Sequence, residues 1–537
     1  MSASQANSID VATLRQWLGD GAEIALVDVR EEGQHGAGHP LLAVNVPYSK
    51  FELTIGALVP RRSCRVVLLD DGDGLAGKAA RRLATFGYGA VHILEGGVSA
   101  WAAAGYPLFP STNVPSKAFA ELVEHDYHTP AITAAELNRR RAAGENIVVL
   151  DSRPLDEYER FHVPGAITCP GAELVLHFAD LVPDPDAVVV VSCAGRTRGI
   201  IGAQSLRTAG VPNQIMSLEG GTQAWRLAGL DLERGMTTAL HPASREAIAA
   251  ARQRSDAVAR RYGVRTIDAA TLASWQGDAE HRTTYVLDVR TPSEYAAGHL
   301  PGSLSAPGGQ LVQAIDRWVG TRNSRIVLVD DVMARAVMTA QWLLQMGWDV
   351  VVLDRPFTGA ALATGDAPDP EMPDLPSLAL LDPHAAAARL TEGAAAVSLD
   401  SSADYRTGHP AGAVWSMRSR LDRLPAEVLQ APEILLFAEN APAAQLAAID
   451  LHELSSARLA IVRGGGPAWR EAGLPVVASP DQPSDRERID YLFWNHDRHA
   501  GNQDAMRAYL RWETELPGEI ARDGLAGFRV GVPAGAR

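Results

Sequence analysis

Cysteine is scarce in this sequence, with three residues in 537. So few thiols cannot staple a chain of this length as a disulfide scaffold, and they point to a reducing compartment. No apolar run approaches the roughly 20 residues that a membrane-crossing helix needs. The first residues, MSASQANSIDVATLRQWLGDG, have neither the basic start nor the apolar stretch of a secretory signal, so a cytoplasmic location is expected. Positive charge is not in excess either. The formal net charge is −15, which argues against nucleic acid as a partner. Neither a nucleic-acid nor a membrane partner is expected. Metal-ligand patterns are absent as well. The acidic DDGDG at 70–74 lacks the ordered ligands and closing glutamate of a calcium loop. The tail cluster WNHDRHAGN at 494–502, with His496 and His499, has no ligand spacing and is expected to be a loop before a helix.

What is present is ordinary for globular protein, 46% apolar and 21% charged residues. The length calls for roughly three to five domains. Self-similarity then dominates the sequence. An apolar run ending in aspartate recurs as IALVDVR (24–30), IVVLDSR (147–153), TYVLDVR (284–290) and AAVSLDS (395–401), which aligns Asp28, Asp151, Asp288 and Asp400. Turns carrying His39, His162, His299 and His409 follow, then second apolar runs, RVVLLD, AVVVVS, RIVLVD and EILLFA. Three units close on a glycine turn leading to tryptophan: LEGGVSAW at Trp101, LEGGTQAW at Trp225 and VRGGGPAW at Trp469. The third has only LDRPFTGAAL and reads as decayed there.

Short strands alternating with helical stretches predict an α/β fold of four tandem domains, each a small parallel sheet flanked by helices. The expected boundaries are 8–110, 129–235, 264–365 and 378–480, with a helical tail over 481–537. Residues 110–128 read as irregular, and 245–261 as a charged connecting helix. GDAPDPEMPDLPS (365–377) reads as a linker. In the tail a helix is expected around 502–516, leaving Tyr509 and Trp512 available to pack elsewhere.

Ligands of open parallel sheets bind beyond the carboxyl ends of strands. The residue after the second apolar run is therefore the informative one. In the second unit it is Cys193, opening the loop CAGRTRG (193–199); in the others the expected counterparts are Asp71, Asp331 and Glu439. Only the second unit offers a nucleophile, and a carboxylate forms no stable persulfide. A thiol beside a helix N-terminus and cationic groups has a lowered pKa, and Arg196 and Arg198 share its turn. A loop that folds back points backbone N–H groups inward and forms an anion cradle. Gly195 suits such a turn. The arginines offer charge-assisted hydrogen bonds to an anionic donor. The bland alternative is a small buried apolar cysteine. Cys169 could resolve a persulfide on Cys193 but reads more simply as a buried structural residue, and Cys64 as inert. The repeated histidines occur once per unit and read as turn-stabilising rather than metal-binding. Asp151 and Arg153 read as a structural ion pair with a possible supporting part in the site.

The LDSR pair, the HVPGA turn, the cysteine loop and LEGGTQAW, in this order, make the sequence resemble the rhodanese (thiosulfate sulfurtransferase) family over nearly all of residues 8–480. The resemblance implies that Cys193 carries a sulfane sulfur as a persulfide and that Ala194, Gly195, Arg196, Thr197 and Arg198 shape its cradle. It also implies a small anionic donor such as thiosulfate, a cyanide or thiol acceptor, and no cofactor. The prototype carries an arginine four residues after the DSR arginine; Glu157 stands there in this sequence, a departure that bears on thiosulfate as donor. Related folds include phosphatases, whose loops place five residues between cysteine and arginine. Here Arg198 follows Cys193 after four, a cradle sized better for sulfur. Further readings are a persulfide carrier serving a protein acceptor, an interaction scaffold, and a 3-mercaptopyruvate sulfurtransferase.

Overall fold

The computed structural model describes residues 6–366, 374–438, 440–499 and 501–531. Four sheets of five parallel strands follow one another along the chain, with the same strand order in each. In the second unit that order is Ala131–Ile132, Ile215–Leu218, Val188–Ser192, Ile147–Asp151 and Ile167–Thr168. The central strand Val188–Ser192 is buried at every residue. Helices cover both faces, so it reads as a continuous valine run rather than an alternation.

Strand register corrects the alignment of the units. Asp151 pairs with Ser192, Asp28 with Leu69, Asp288 with Val329 and Ser398 with Phe437. The counterparts of Cys193 are therefore Asp70, Asp330 and Ala438, not Asp71, Asp331 and Glu439. Asp71 and Asp331 lie one residue further on, and Glu439 is outside the described residues. By the same pairing Ser398, not Asp400, occupies the place of Asp151. Carbonyl contacts agree: the amides of Val98 and Thr222 donate to the carbonyls of Asp70 and Cys193, both at 2.9 Å.

The histidine turns are structural, as their spacing suggests. Each histidine brings Nδ1 to 2.8–2.9 Å from the carbonyl four residues earlier, and His162, His299 and His409 stack on Tyr158, Tyr295 and Tyr405. The three tryptophans that close the glycine turns donate Nε1–H to the carbonyls of Pro107, Asp231 and Pro475. Asp151 and Arg153 form a fully buried pair, with Nη2 to Oδ2 at 2.7 Å.

The connecting helix Arg245–Tyr262 matches its charge pattern. Residues 110–128 are not irregular throughout. Val114–Tyr127 is a helix with Pro115 in its first turn, where the missing N–H costs nothing. Its neighbours surround it so fully that even Lys117 and Glu121 are buried, which hides the usual one-faced pattern. WNHDRHAGN likewise is not a plain loop: Phe493–His499 is a helix. Asn502 then caps the helix Gln503–Asp523 by accepting from the amides of Asp504 and Ala505.

The second and third units share one core, in which Leu150, Val189 and Leu206 join Leu287, Leu328 and Trp342. The first and fourth are joined by Arg418, whose guanidinium binds both oxygens of Glu52 at 2.5 and 2.8 Å and Asp450 at 3.0 Å. The tail helix is held by Leu516 and Ile520, packed with Leu41, Phe109 and Val114. No helix among the described residues is long and apolar enough to cross a membrane.

Candidate functional site

Cys193 sits where the central strand ends and the helix Thr197–Thr208 begins. Its sulfur accepts from the backbone N–H groups of Gly195 and Gly199. Two further bonds fix the loop from behind: Thr222 N–H to the Cys193 carbonyl at 2.9 Å and Gln223 N–H to the Ala194 carbonyl at 3.2 Å. These come from the Gly220–Gly221 turn. Gly221 has φ +53°, and a Cβ there would lie 2.2 Å from the Cys193 oxygen. Glycine is thus required twice over, for its backbone angle and for the close approach.

The thiol is 2% exposed. Burial pushes its pKa above the ordinary value, while Arg198 and the two amides pull it the other way without prevailing. This departs from the lowered pKa that the loop chemistry predicts. The helix terminus and arginine are present, but the depth of the site outweighs them.

The two arginines have different positions. Arg196 turns from the sulfur and binds Glu121 through Nε and Nη2 at 2.7 and 2.8 Å, and also Glu124. Its predicted place on an anionic donor is therefore taken, in this structure, by carboxylates some 75 positions upstream. Arg198 stays beside the thiol. It also pairs with Glu157 at 2.6 and 2.9 Å and reaches Gln310 of the third unit at 3.3 Å. Burial works against its charge, but Glu157, the Cys193 sulfur and Asp151 together raise its pKa. Thr197 approaches Glu513 at 3.4 Å.

Cys169 is wholly buried in the shared core, and Cys64 lies in the core of the first unit. All three cysteines are free thiols, and burial raises the pKa of each. No cluster of metal-ligating side chains occurs among the described residues.

The tail covers the loop. Around Gly195 stand Glu513, Tyr509 and Gln223, each within 3.5 Å of where a Cβ would be. A narrow cleft beside it is lined by Ala194, Phe161, Gln223, Arg498, His499 and Met506. Sequence reasoning missed Gln223, Arg498 and Glu513. Gln223 lies in the LEGGTQAW motif and was findable there. The tail residues have no counterpart in the other units that would mark them.

A family model for the rhodanese-like domain matches residues 10–104, 133–228 and 268–361, more than half of the chain. The crystal structure of a thiosulfate sulfurtransferase from Pseudomonas aeruginosa is 44% identical, covers 97% of this chain and 99% of its own, and superposes with a TM-score of 0.90. A putative thiosulfate sulfurtransferase of Mycobacterium tuberculosis is 28% identical over 236 residues, 37% of this chain and 78% of the relative. An HTH-type transcriptional regulator of the same species is 42% identical over 105 residues, 20% of this chain; the match spans 45% of that regulator.

Proposed function

Because this chain belongs to the rhodanese-like family, we propose that it is a sulfurtransferase whose Cys193 carries the sulfur as a persulfide. The observation that carries the reading is a thiol receiving two inward N–H groups beside one guanidinium, at a strand-to-helix junction. Such a cradle stabilises a sulfur anion without any metal or organic group. The thiolate attacks the outer sulfur of a donor such as thiosulfate. The donor's S–S bond breaks, sulfite leaves with the electron pair, and Cys193 keeps the sulfur as an anionic persulfide. Arg198 offsets the charge. An acceptor, cyanide or a thiolate, then attacks the terminal sulfur and releases the Cys193 thiolate.

Asp70, Asp330 and Ala438 stand where a thiol would be needed, so the units over 8–110, 264–365 and 378–480 are proposed to be inert in transfer. Ala194 to Arg198 are assigned to the cradle, with Arg196 held in its ion pairs as a brace for the loop. Asp151 and Arg153 support the strand end.

Intact-mass measurement after incubation with thiosulfate and, separately, 3-mercaptopyruvate tests this. A gain of one sulfur on wild type and none on Cys193→Ser is expected, and the donor that produces it fixes the preference. No gain with either donor would overturn the reading.

A further inference from the structure

The turn Arg418–Arg423 of the fourth unit carries three arginines besides Arg418's immediate contacts with the first unit: Arg418 itself, Arg420 and Arg423. Arg418 is committed to Glu52 and Asp450. Among the described residues, neither the Arg420 nor the Arg423 guanidinium has an ion-pair or hydrogen-bond partner. Both line a cleft of about 320 Å³, a size within the roughly 300–1,000 Å³ of small-molecule sites. Burial and the neighbouring charge of Arg423 hold the Arg420 pKa below the usual arginine range. Asp73, Asp71 and Glu31 pull it the other way without prevailing.

The repeats show that this space is particular to the fourth unit when it is set against the second. Strand pairing puts Trp415 at the place of Thr168. In the second unit that place is filled. Thr238 accepts the Thr168 N–H at 2.9 Å, and the hydroxyls of Thr237 and Thr238 lie 2.8 and 2.9 Å from that of Tyr158. In the fourth unit Tyr405 and Trp415 border the cleft instead. The Trp415 ring is fixed by its Nε1–H, donated to the Asp400 carbonyl at 2.9 Å. Met417, Leu424 and Pro425 extend this apolar wall. Glu487 is the one carboxylate among the described lining residues. Its Oε2 already accepts from the amide and hydroxyl of Ser484, at 2.7 and 2.5 Å.

Two guanidinium groups without a counter-ion, facing one space, call for an oxyanion, since their planar forks match carboxylate and phosphate geometry. A bare inorganic ion would use the forks and leave the apolar wall wet. We propose that the fourth unit binds a small organic anion in this cleft, an apolar body carrying a phosphate or carboxylate group. The oxyanion meets Arg420 and Arg423, and the body lies against Trp415, Met417 and Leu424. The unit with Ala438 at the cysteine position is thereby a binding module, and its site does not depend on the chemistry of Cys193.

Titration calorimetry on the full chain tests this with phenyl phosphate, benzoate, phenol and inorganic phosphate at low salt. Phenyl phosphate or benzoate is expected to bind at least about tenfold more tightly than phenol, the worth of one charged hydrogen bond, and the tighter of the two identifies the head group. The double variant Arg420→Gln, Arg423→Gln is expected to lose that advantage, while Cys193→Ser keeps it. No binding of either organic anion, or binding unchanged in the double variant, would overturn the site. Inorganic phosphate held as tightly as phenyl phosphate would overturn it too, because the apolar wall would then contribute nothing. Should the double variant not fold, Arg423→Gln alone, at an exposed position, decides by the same loss.

Discussion

Glu157 grips Arg198 with both carboxylate oxygens, at 2.6 and 2.9 Å, beside the Cys193 sulfur. The pair sets a carboxylate against the same cation that acts on the thiol. Burial raises the Glu157 pKa, but Arg198 and Arg153 more than reverse this, so its carboxylate stays ionised below its usual range.

A raised Cys193 pKa means that the neutral thiol is favoured up to higher pH than in free cysteine. Iodoacetamide labelling of Cys193 is therefore expected to keep rising with pH beyond 9.0, the ordinary value. Glu157→Gln removes the carboxylate bonded to Arg198. The thiol pKa should then fall, with labelling at pH 7.5 faster by about tenfold, the effect of roughly one pKa unit. Labelling that is unchanged in the variant would show that Arg198 does not act on the sulfur.

Gly221→Ala places a methyl group 2.2 Å from the Cys193 carbonyl, in a backbone region that alanine resists. The loop must shift to admit it. Sulfur loading is expected to drop by about a hundredfold, the cost of roughly 1 Å of misplacement at a reacting group. Thermal unfolding should show a smaller change. Loading at the wild-type rate would mean that the cradle tolerates the displacement.

Arg418→Met removes the more deeply buried of the two cations that Glu52 and Asp450 share, leaving Arg82 at 3.5 Å from Glu52 and 2.6 Å from Asp450. With Arg82 still in place the cost should fall below the roughly 3–5 kcal/mol of leaving a buried charge with no partner. The expected result is a lower unfolding midpoint, with the fourth unit becoming protease-sensitive first. Sulfur loading at Cys193 should survive below that midpoint, because Arg418 bonds to Glu52, Tyr48 and Asp450 of the first and fourth units.

Much of this architecture was legible because repetition made each element visible several times. The apolar runs, the histidine turns and the glycine–tryptophan closures all fall where the sequence puts them. Register was not legible. Asp70–Asp71 and Asp330–Asp331 are doublets, so either residue can be set opposite Cys193, and only strand pairing chooses between them. The helix Val114–Tyr127 was hidden because neighbours on several sides bury charged and apolar residues alike. The place of the loop at the strand end could be read from CAGRTRG, but not the fate of Arg196, which depends on Glu121 in the helix that precedes the second unit. The tail's place over Gly195 follows from contacts some 300 positions apart, such as that of Thr197 with Glu513, and nothing local announces them.

The core common to the second and third units has a consequence for how the module that carries Cys193 can be used. Trp342 of the third unit donates to Ser205 on the helix that starts at the cysteine loop, and Gln310 touches Arg198. A module lifted out alone would lose one wall of its own interior along with a neighbour of its key cation. The third unit is in this sense a foundation, and the smallest independently useful piece of the molecule is a pair of units rather than one.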